Sequence, residues 1–155
     1  MFRSLLISAK DMLFARKEEG RKQSEGVCCI FKDTLEFILA VSESSHPREF
    51  VGLLTAERTA EGGEVISDVI ILPGTRSSSF SASFRRDMLP LGVRFVGTAH
   101  SHPKPQAMRP SPQDLQMFAQ TGQRHIITFF PYGEDCWRCY DALGREKQLK
   151  VVERL

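Results

Sequence analysis

Two histidines and an aspartate carry the most distinctive chemistry in this sequence. His100 and His102 flank a single serine, and Asp114 follows twelve residues after the second histidine. Imidazole nitrogens and carboxylate oxygens are common zinc ligands, and a catalytic zinc takes three of them and keeps a fourth position open for water. The three side chains therefore indicate an open zinc site, which is typical of hydrolytic enzymes.

The residues before His100 predict a β-strand. Residues 94–99 form a short, largely apolar run of strand-forming residues, and side chains two positions apart in a strand share one face. We therefore expect His100 and His102 to point the same way, while Ser101 points the opposite way and plays no part. Pro103 has no amide hydrogen to donate, so the strand is expected to end there with both imidazoles at its C-terminal end.

The Ser-Pro-Gln-Asp run predicts the start of a helix that faces this strand end. Ser111 has the character of an N-cap, Pro112 suits the first helical position, and Asp114 completes a capping pattern at the third. The helix is expected to continue to Thr121 and to stop at Gly122. Capping alone would also explain Ser111 and Asp114, and a His-x-His pair can be ordinary polar surface. The residues by themselves leave both interpretations open.

Composition excludes several function classes. The chain has 155 residues, 41% of them hydrophobic and 26% charged, which is typical of one globular domain. A net charge of +2 is too small to indicate a nucleic-acid partner. No run approaches the roughly 20 apolar residues that span a bilayer, and the N-terminal residues lack a secretory cleavage pattern. We therefore expect a cytoplasmic protein with neither a membrane nor a nucleic acid as partner.

The four cysteines occur as an adjacent pair, Cys28 and Cys29, and as a Cys-x-x-Cys pair, Cys136 and Cys139. In a cytoplasmic protein they are expected to be buried thiols rather than a disulfide framework. The second pair could also be a redox pair or half of a structural zinc site. Against the zinc interpretation, no further Cys or His pair completes a four-ligand cage.

The hydrophobic pattern divides the chain into an appendage and a domain. Residues 1–26 predict a short amphipathic helix and a solvated linker, because no apolar residue follows Ala15 in this stretch. Residues 27–155 alternate strand and helix patterns, so we expect one domain with an α+β fold. Besides the strand with the histidines, strands are predicted over residues 27–31, 49–55, 64–72, 125–130, 136–140 and 148–152.

Helix and turn signals fill the spaces between these strands. Asp33 is expected to cap a helix that ends near His46, with Glu36 completing a capping box. The expected buried stripe of this helix consists of Leu35, Ile38, Leu39 and Ser42. A hairpin turn is predicted at residues 57–63, a loop or irregular edge at 75–83, and at most a short helix within 84–91. The last three strands are expected to form a meander.

The order of these motifs matches that of a known protease family. Glu49, His-Ser-His-Pro from His100 and Ser-Pro-Gln-Asp up to Asp114 resemble the JAMM motif of the MPN+ zinc metalloproteases, especially their small archaeal members. The likeness extends over residues 27–153. It implies the α/β/α-like MPN fold, a mixed and mostly antiparallel curved sheet flanked by helices, similar to that of cytidine deaminases. One difference is that eleven residues separate His102 from Asp114, where the family has ten, and the extra residue falls in the loop.

The resemblance also implies a role for each residue of the motif. His100, His102 and Asp114 would bind zinc, with water as the fourth ligand. Glu49 would act as general base, activating the zinc-bound water and passing its proton to the leaving amine. Ser111 would help to stabilise the oxyanion.

Three further polar residues match no catalytic position of the family. His46 and His125 are expected to be polar surface or satisfied core groups. Thr98 lies on the histidine side of its strand and could contact a metal ligand.

Members of this family cleave after the C-terminal Gly-Gly of ubiquitin-like proteins. The resemblance therefore implies a zinc-dependent isopeptidase or peptidase for a ubiquitin-like or sulfur-carrier protein, whose extended tail could add to an edge at residues 77–83. One alternative is a JAMM-type hydrolase that processes a sulfur carrier in cofactor or amino-acid biosynthesis. Another is an MPN scaffold that binds partners without turnover, although such relatives typically lack the metal ligands. The sequence leaves the oligomeric state open.

Overall fold

The structure is a computed structural model that describes residues 26–71 and 91–155. Within these residues the chain forms one eight-stranded sheet and two helices. In chain order the elements are β1 (Val27–Phe31), α1 (Lys32–Ser45), β2 (Val51–Arg58), β3 (Glu64–Ile71), β4 (Phe95–His102), α2 (Pro112–Thr121), β5 (Arg124–Phe129), β6 (Trp137–Tyr140), β7 (Glu146–Lys147) and β8 (Lys150–Val152). Neither of the described helices has the length and apolar character needed to cross a membrane.

The sheet is mixed, with the order β7-β6-β5-β4-β2-β3-β1-β8. Strand β1 runs parallel to β3 and β8, and β4 runs parallel to β5, while the other neighbours are antiparallel. This architecture confirms the predicted α+β class. Strands β2 and β4 lie side by side in the middle of the sheet, so the strand that carries the histidines is held on both sides.

The prediction of a meander for the last three strands is wrong for the final one. Strands β5, β6 and β7 do follow one another as antiparallel neighbours, but β8 pairs with β1 at the opposite edge. Only Gln148 and Leu149 connect β7 to β8, and such a link reaches no further than about 11 Å. A flat sheet of eight strands is roughly 33 Å wide, so the sheet must curl until its edges come close together.

Helix α1 covers one face of the sheet with the predicted stripe of Leu35, Ile38, Leu39 and Ser42, together with Thr34. The predicted capping box at Asp33 and Glu36 is wrong, because β1 continues directly into the helix and Phe31 takes the N-cap position without a side-chain bond. Asp33 lies in the first turn instead. Its carboxylate accepts hydrogen bonds from the amide of Thr34 and the guanidinium of Arg154.

Other boundaries differ by a few residues. Strand β2 begins at Val51, so Glu49 precedes the strand rather than opening it. Three predicted segments lie wholly or largely outside the described residues: most of the appendage over 1–26, the loop or irregular edge at 75–83, and nearly all of the short helix over 84–91.

Two glycines allow β4, β5 and the end of α2 to approach closely. A Cβ on Gly97 of β4 would overlap the main chain of Arg124 at the start of β5. Gly122, with φ of 128° after α2, would likewise overlap the main chain of Val96. The close approach of the start of β4 to β5 and to the C-terminal end of α2 therefore requires glycine at both positions.

We expect Gly97→Ala to lower the free energy of unfolding by about 3 kcal/mol or more, because the added methyl group has no space. Gly133→Ala is a matched control, since the nearest atom to its added Cβ is Cys136 Sγ at 3.9 Å. Urea unfolding followed by circular dichroism measures both. Equal midpoints for the two variants would contradict the close approach at Gly97.

Candidate metal centre

The end of β4 brings two imidazoles together, as the strand pattern predicted. The Nε2 atoms of His100 and His102 lie 3.1 Å apart. His100 is 1% exposed and sits inside the fold, while His102 is half-buried at the strand end. Both rings therefore present the same nitrogen to one point.

Helix α2 begins with the predicted capping box. The amide of Asp114 donates to Ser111 Oγ at 3.1 Å, and the amide of Ser111 donates to Asp114 Oδ2 at 2.7 Å. Pro112 occupies the first turn, where a missing amide hydrogen costs nothing. The same two bonds that start the helix hold the Asp114 carboxylate against the end of β4.

The imidazoles of His100 and His102 and the carboxylate of Asp114 form a compact triangle of possible metal ligands. Asp114 Oδ1 lies 3.1 Å from His100 Nε2, and Asp114 Oδ2 lies 3.2 Å from His102 Nε2. A tetrahedral zinc with bonds of roughly 2.0 Å separates its ligand atoms by about 3.3 Å. Two imidazoles and a carboxylate with this spacing fit one face of a zinc tetrahedron and leave the fourth corner open.

Second contacts orient the imidazoles. His102 Nδ1 lies 2.6 Å from the carbonyl oxygen of Ala107, so this nitrogen donates its hydrogen there and Nε2 keeps a free lone pair. His100 Nδ1 is buried without a hydrogen-bond partner in the described part of the chain. The polar contacts of the buried His100 ring are therefore made through Nε2, the atom that faces the triangle.

Burial and charge act in opposite directions on these groups. Burial raises the pKa of the Asp114 carboxyl, but hydrogen bonds from His100 and His102 outweigh it and hold the pKa well below its usual range. Burial lowers the pKa of His102, but hydrogen bonds to Asp114 and Ala107 and the charge of Glu49 leave that pKa above its ordinary value. The centre is thus an environment in which positive charge is favoured.

Glu49 reaches this centre from the neighbouring strand. It lies two residues before β2, is half-buried, and lines a cavity of about 330 Å³ together with the triangle. Ser111, Lys104 and Gln113 line the same cavity. The cavity therefore brings together the five site residues predicted from the sequence, which are Glu49, His100, His102, Ser111 and Asp114.

The loop with the additional residue closes without disturbing the triangle. Gln106 has φ of 57°, and the amide of Met108 donates to its carbonyl at 2.8 Å, which gives a tight local turn. The carbonyl of Met108 accepts a hydrogen bond from the Tyr140 hydroxyl. This turn presents the Ala107 carbonyl to His102, a contact of the main chain that no side-chain pattern indicates.

Ser101 points away from the imidazoles, as predicted, but it is not without contacts near the site. It is fully buried, and its Oγ accepts a hydrogen bond at 2.7 Å from the amide of Phe50, the residue after Glu49. The strand pattern predicted the direction of this side chain. It could not identify the neighbouring strand that receives it.

The remaining polar candidates lie elsewhere. The ring of His125 stacks on Phe118 with centroids 4.0 Å apart, and its nitrogens are bonded to Thr98 and to the carbonyl of Gly122. His125 is therefore a satisfied core group, as predicted, and Thr98 contacts His125 instead of a member of the triangle. His46 is exposed, with Nδ1 3.0 Å from the Tyr132 hydroxyl.

All four cysteines are free thiols, but the expectation that they are buried is right only for Cys139. Cys139 is buried, and burial raises the pKa of its thiol to about 11. Cys28, Cys29 and Cys136 are partly exposed. Among the described residues, no metal-binding group includes any cysteine.

Comparison with known proteins gives the same assignment along most of the chain. The family model for prokaryotic homologs of the JAB domain matches residues 31–140. A protein of Haloferax volcanii named probable metalloprotease is 40% identical over an alignment of 136 residues, and the match covers 84% of this chain and 83% of that protein.

Solved structures extend the comparison to the fold. A JAB1/MPN domain protein from Archaeoglobus fulgidus superposes with a TM-score of 0.63 and 37% identity, over 81% of this chain and 99% of that one. A structure described as JAMM, a metalloprotease-like zinc site in the proteasome and signalosome, gives 0.62 and 35%, over 82% and 99%.

The curled mixed sheet with two helices places this chain in the JAB1/MPN class of domain. Within that class, the chain belongs to the prokaryotic JAB-domain family of JAMM-type metalloproteases. The resemblance found in the sequence is thereby confirmed.

The core histidine predicts a dependence of stability on pH. Burial lowers the pKa of His125 from 6.5 to about 4, so between these values the unfolded chain binds a proton that the folded chain does not. The free energy of unfolding should therefore fall as pH drops through this range, by up to about 3 kcal/mol from this group. Urea titrations from pH 7 to pH 4 should show a shallower fall in His125→Gln than in the wild type. The exposed His46→Gln serves as control, and an equal slope in all three proteins would contradict the assignment.

Proposed function

We propose that this protein is a zinc-dependent isopeptidase or peptidase that cleaves after the C-terminal Gly-Gly of a ubiquitin-like protein, either a small archaeal modifier or a sulfur carrier. The observation that carries the proposal is the convergence of His100, His102 and Asp114 on one point of a cavity that Glu49 also lines. Family membership supports peptide-bond hydrolysis. The Gly-Gly specificity rests on the resemblance to JAMM proteases of ubiquitin-like proteins.

Three residues are proposed to hold the ion. His100 and His102 would bind through Nε2, since these two atoms lie 3.1 Å apart. Asp114 would bind through a carboxylate oxygen, since Oδ1 lies 3.1 Å from His100 Nε2 and Oδ2 lies 3.2 Å from His102 Nε2. When bound, zinc supplies a Lewis acid that lowers the pKa of water toward neutrality and polarises the scissile carbonyl. The bond from His102 Nδ1 to Ala107 keeps the ring in the tautomer that binding requires.

Glu49 is proposed as the general base. Its carboxylate takes a proton from the attacking water and later delivers the proton to the departing amine. Its place in the cavity wall supports this role, because a base must reach the water from outside the ligand set. The charge of Glu49 also reaches His102, where it raises the imidazole pKa after the larger effects of burial, Asp114 and Ala107.

Ser111 is proposed to stabilise the oxyanion that develops on the scissile carbonyl. Its Oγ accepts a hydrogen bond from the amide of Asp114, and a hydroxyl that accepts at its oxygen can still donate its hydrogen. Since Ser111 lines the cavity beside Asp114, that hydrogen can be directed at the substrate. A donor of this kind is commonly worth about 3 kcal/mol in the transition state.

The size of the cavity supports an extended tail of small residues. Its volume of about 330 Å³ is at the lower end of the range for binding pockets. A Gly-Gly tail has no side chains to accommodate and fits such a space. Processing of a sulfur carrier would use the same residues and differ only in the group released.

We expect Glu49→Gln to retain zinc and to lose about 100-fold to 10,000-fold in kcat, because an amide cannot accept the proton of water. His102→Gln should lose both zinc and activity. The two variants therefore distinguish loss of the general base, in Glu49→Gln, from loss of the zinc ion, in His102→Gln. Zinc content by atomic absorption and cleavage of a Gly-Gly-linked conjugate measure the two effects. Undiminished cleavage by Glu49→Gln, or by wild type stripped with a chelator, would refute the mechanism.

Substrate class requires a separate comparison. The zinc-loaded protein should cleave an isopeptide-linked conjugate of a ubiquitin-like protein or a sulfur carrier extended beyond Gly-Gly, and should leave matched substrates ending in Ala-Ala intact. Mass spectrometry of the products locates the cleaved bond. Equal cleavage of the Gly-Gly and Ala-Ala series would contradict the proposed specificity.

A further inference from the structure

The antiparallel pairing of β2 with β4 ends in an irregular way next to the site. Val51 opposes His100, and one step further Phe50 faces Ser101. The amide of Ser101 donates to the carbonyl of Phe50 at 3.0 Å. In a regular hydrogen-bonded pair, the amide of Phe50 would donate to the carbonyl of Ser101. Here it donates to Ser101 Oγ instead, at 2.7 Å. The hydroxyl thus takes the place of a main-chain acceptor.

Three contacts fix the position of Phe50. Its amide and carbonyl are both bonded to Ser101, and its side chain is 4% exposed within the apolar core. Glu49 is the next residue back along the chain, and it has already left the strand. The position at which Glu49 departs from the sheet is therefore set by Ser101.

Ser101 also lies between the two imidazoles on β4. Its neighbours His100 and His102 point to the cavity, while Ser101 is fully buried on the other side of the strand. A single residue of β4 thereby links the chain that carries Glu49 to the strand that carries two members of the triangle. A displacement of one group relative to the other requires this contact to break or to move.

We propose that Ser101 is a positioning residue that fixes the Glu49 carboxylate relative to His100 and His102 through the bond from the Phe50 amide to Ser101 Oγ. This inference rests on the proposed role of Glu49 as general base. It assigns to Ser101 no contact with substrate or with the ion. Its effect is to hold the base at the distance that proton transfer requires.

The first test is kinetic, on zinc-loaded protein with the Gly-Gly-linked conjugate. Ser101→Ala removes the acceptor, so we expect kcat to fall by about 100-fold, the effect of a misplacement of about 1 Å, with KM and zinc content nearly unchanged. Ser101→Thr keeps a hydroxyl and should restore most of the rate. Ser67→Ala is the matched control, because Ser67 is a buried serine on β3 that does not line the cavity. An equal loss of kcat in both alanine variants, or no rescue by threonine, would overturn the inference.

The second test does not depend on activity. Hydrogen exchange followed by NMR should show that the Phe50 amide exchanges faster in Ser101→Ala than in wild type, Ser101→Thr or Ser67→Ala. A crystal structure of Ser101→Ala should place the Glu49 carboxylate about 1 Å from its wild-type position relative to the imidazoles. An unmoved carboxylate and a still protected Phe50 amide would reject the role of Ser101. Complete inactivity of the wild type would reject the proposed protease function. The hydrogen exchange and the crystal structure would then still show whether Ser101 fixes the position of Glu49.

Discussion

The register between β2 and β4 is the constraint on which the site depends. Val51 opposes His100, so Glu49 emerges beside the same strand end at which His100 and His102 turn toward the cavity. A slip of one residue would carry the imidazoles to the opposite face of the sheet. Such a slip is costly at Gly52 of β2, because a Cβ there would overlap the side chain of Val69 and a larger residue has no space in its place. Packing of the core therefore holds the catalytic candidates in place.

Helix α2 contributes through its first turn. The capping box of Ser111 and Asp114 is a device for starting a helix, yet it also restricts the carboxylate to one orientation. The two Nε2 atoms lie 3.1 Å apart, and each lies 3.1 or 3.2 Å from one oxygen of the Asp114 carboxylate. Their lone pairs repel one another unless a cation or a proton lies among them. The capping box that stabilises the start of α2 thus also holds an anionic carboxylate beside two imidazole nitrogens. This concentration of electron-donating atoms is the physical basis for binding a metal ion.

More of the site than of the strand topology could be predicted from the sequence. His100, His102 and the cap at Ser111 follow from rules that act over a few residues, namely alternation in a strand and the donors of a helix start. The position of Glu49 came from the resemblance alone, since a charged residue at a strand start has no distinctive pattern. The pairing of β8 with β1 was missed because it depends on the curl of the whole sheet. The contact of Ser101 with Phe50 was missed for a related reason, since strand neighbours are set by tertiary structure.

The central claim is that one zinc ion occupies the triangle with a position open toward Glu49. A crystal structure of the zinc-loaded protein, with anomalous data collected at the zinc edge, tests it most directly. We expect one anomalous peak at about 2.0–2.2 Å from His100 Nε2, His102 Nε2 and an oxygen of Asp114, with the remaining corner directed at the Glu49 carboxylate. A peak at another place, an ion held without Asp114, or a Glu49 side chain turned away from the open corner would contradict it.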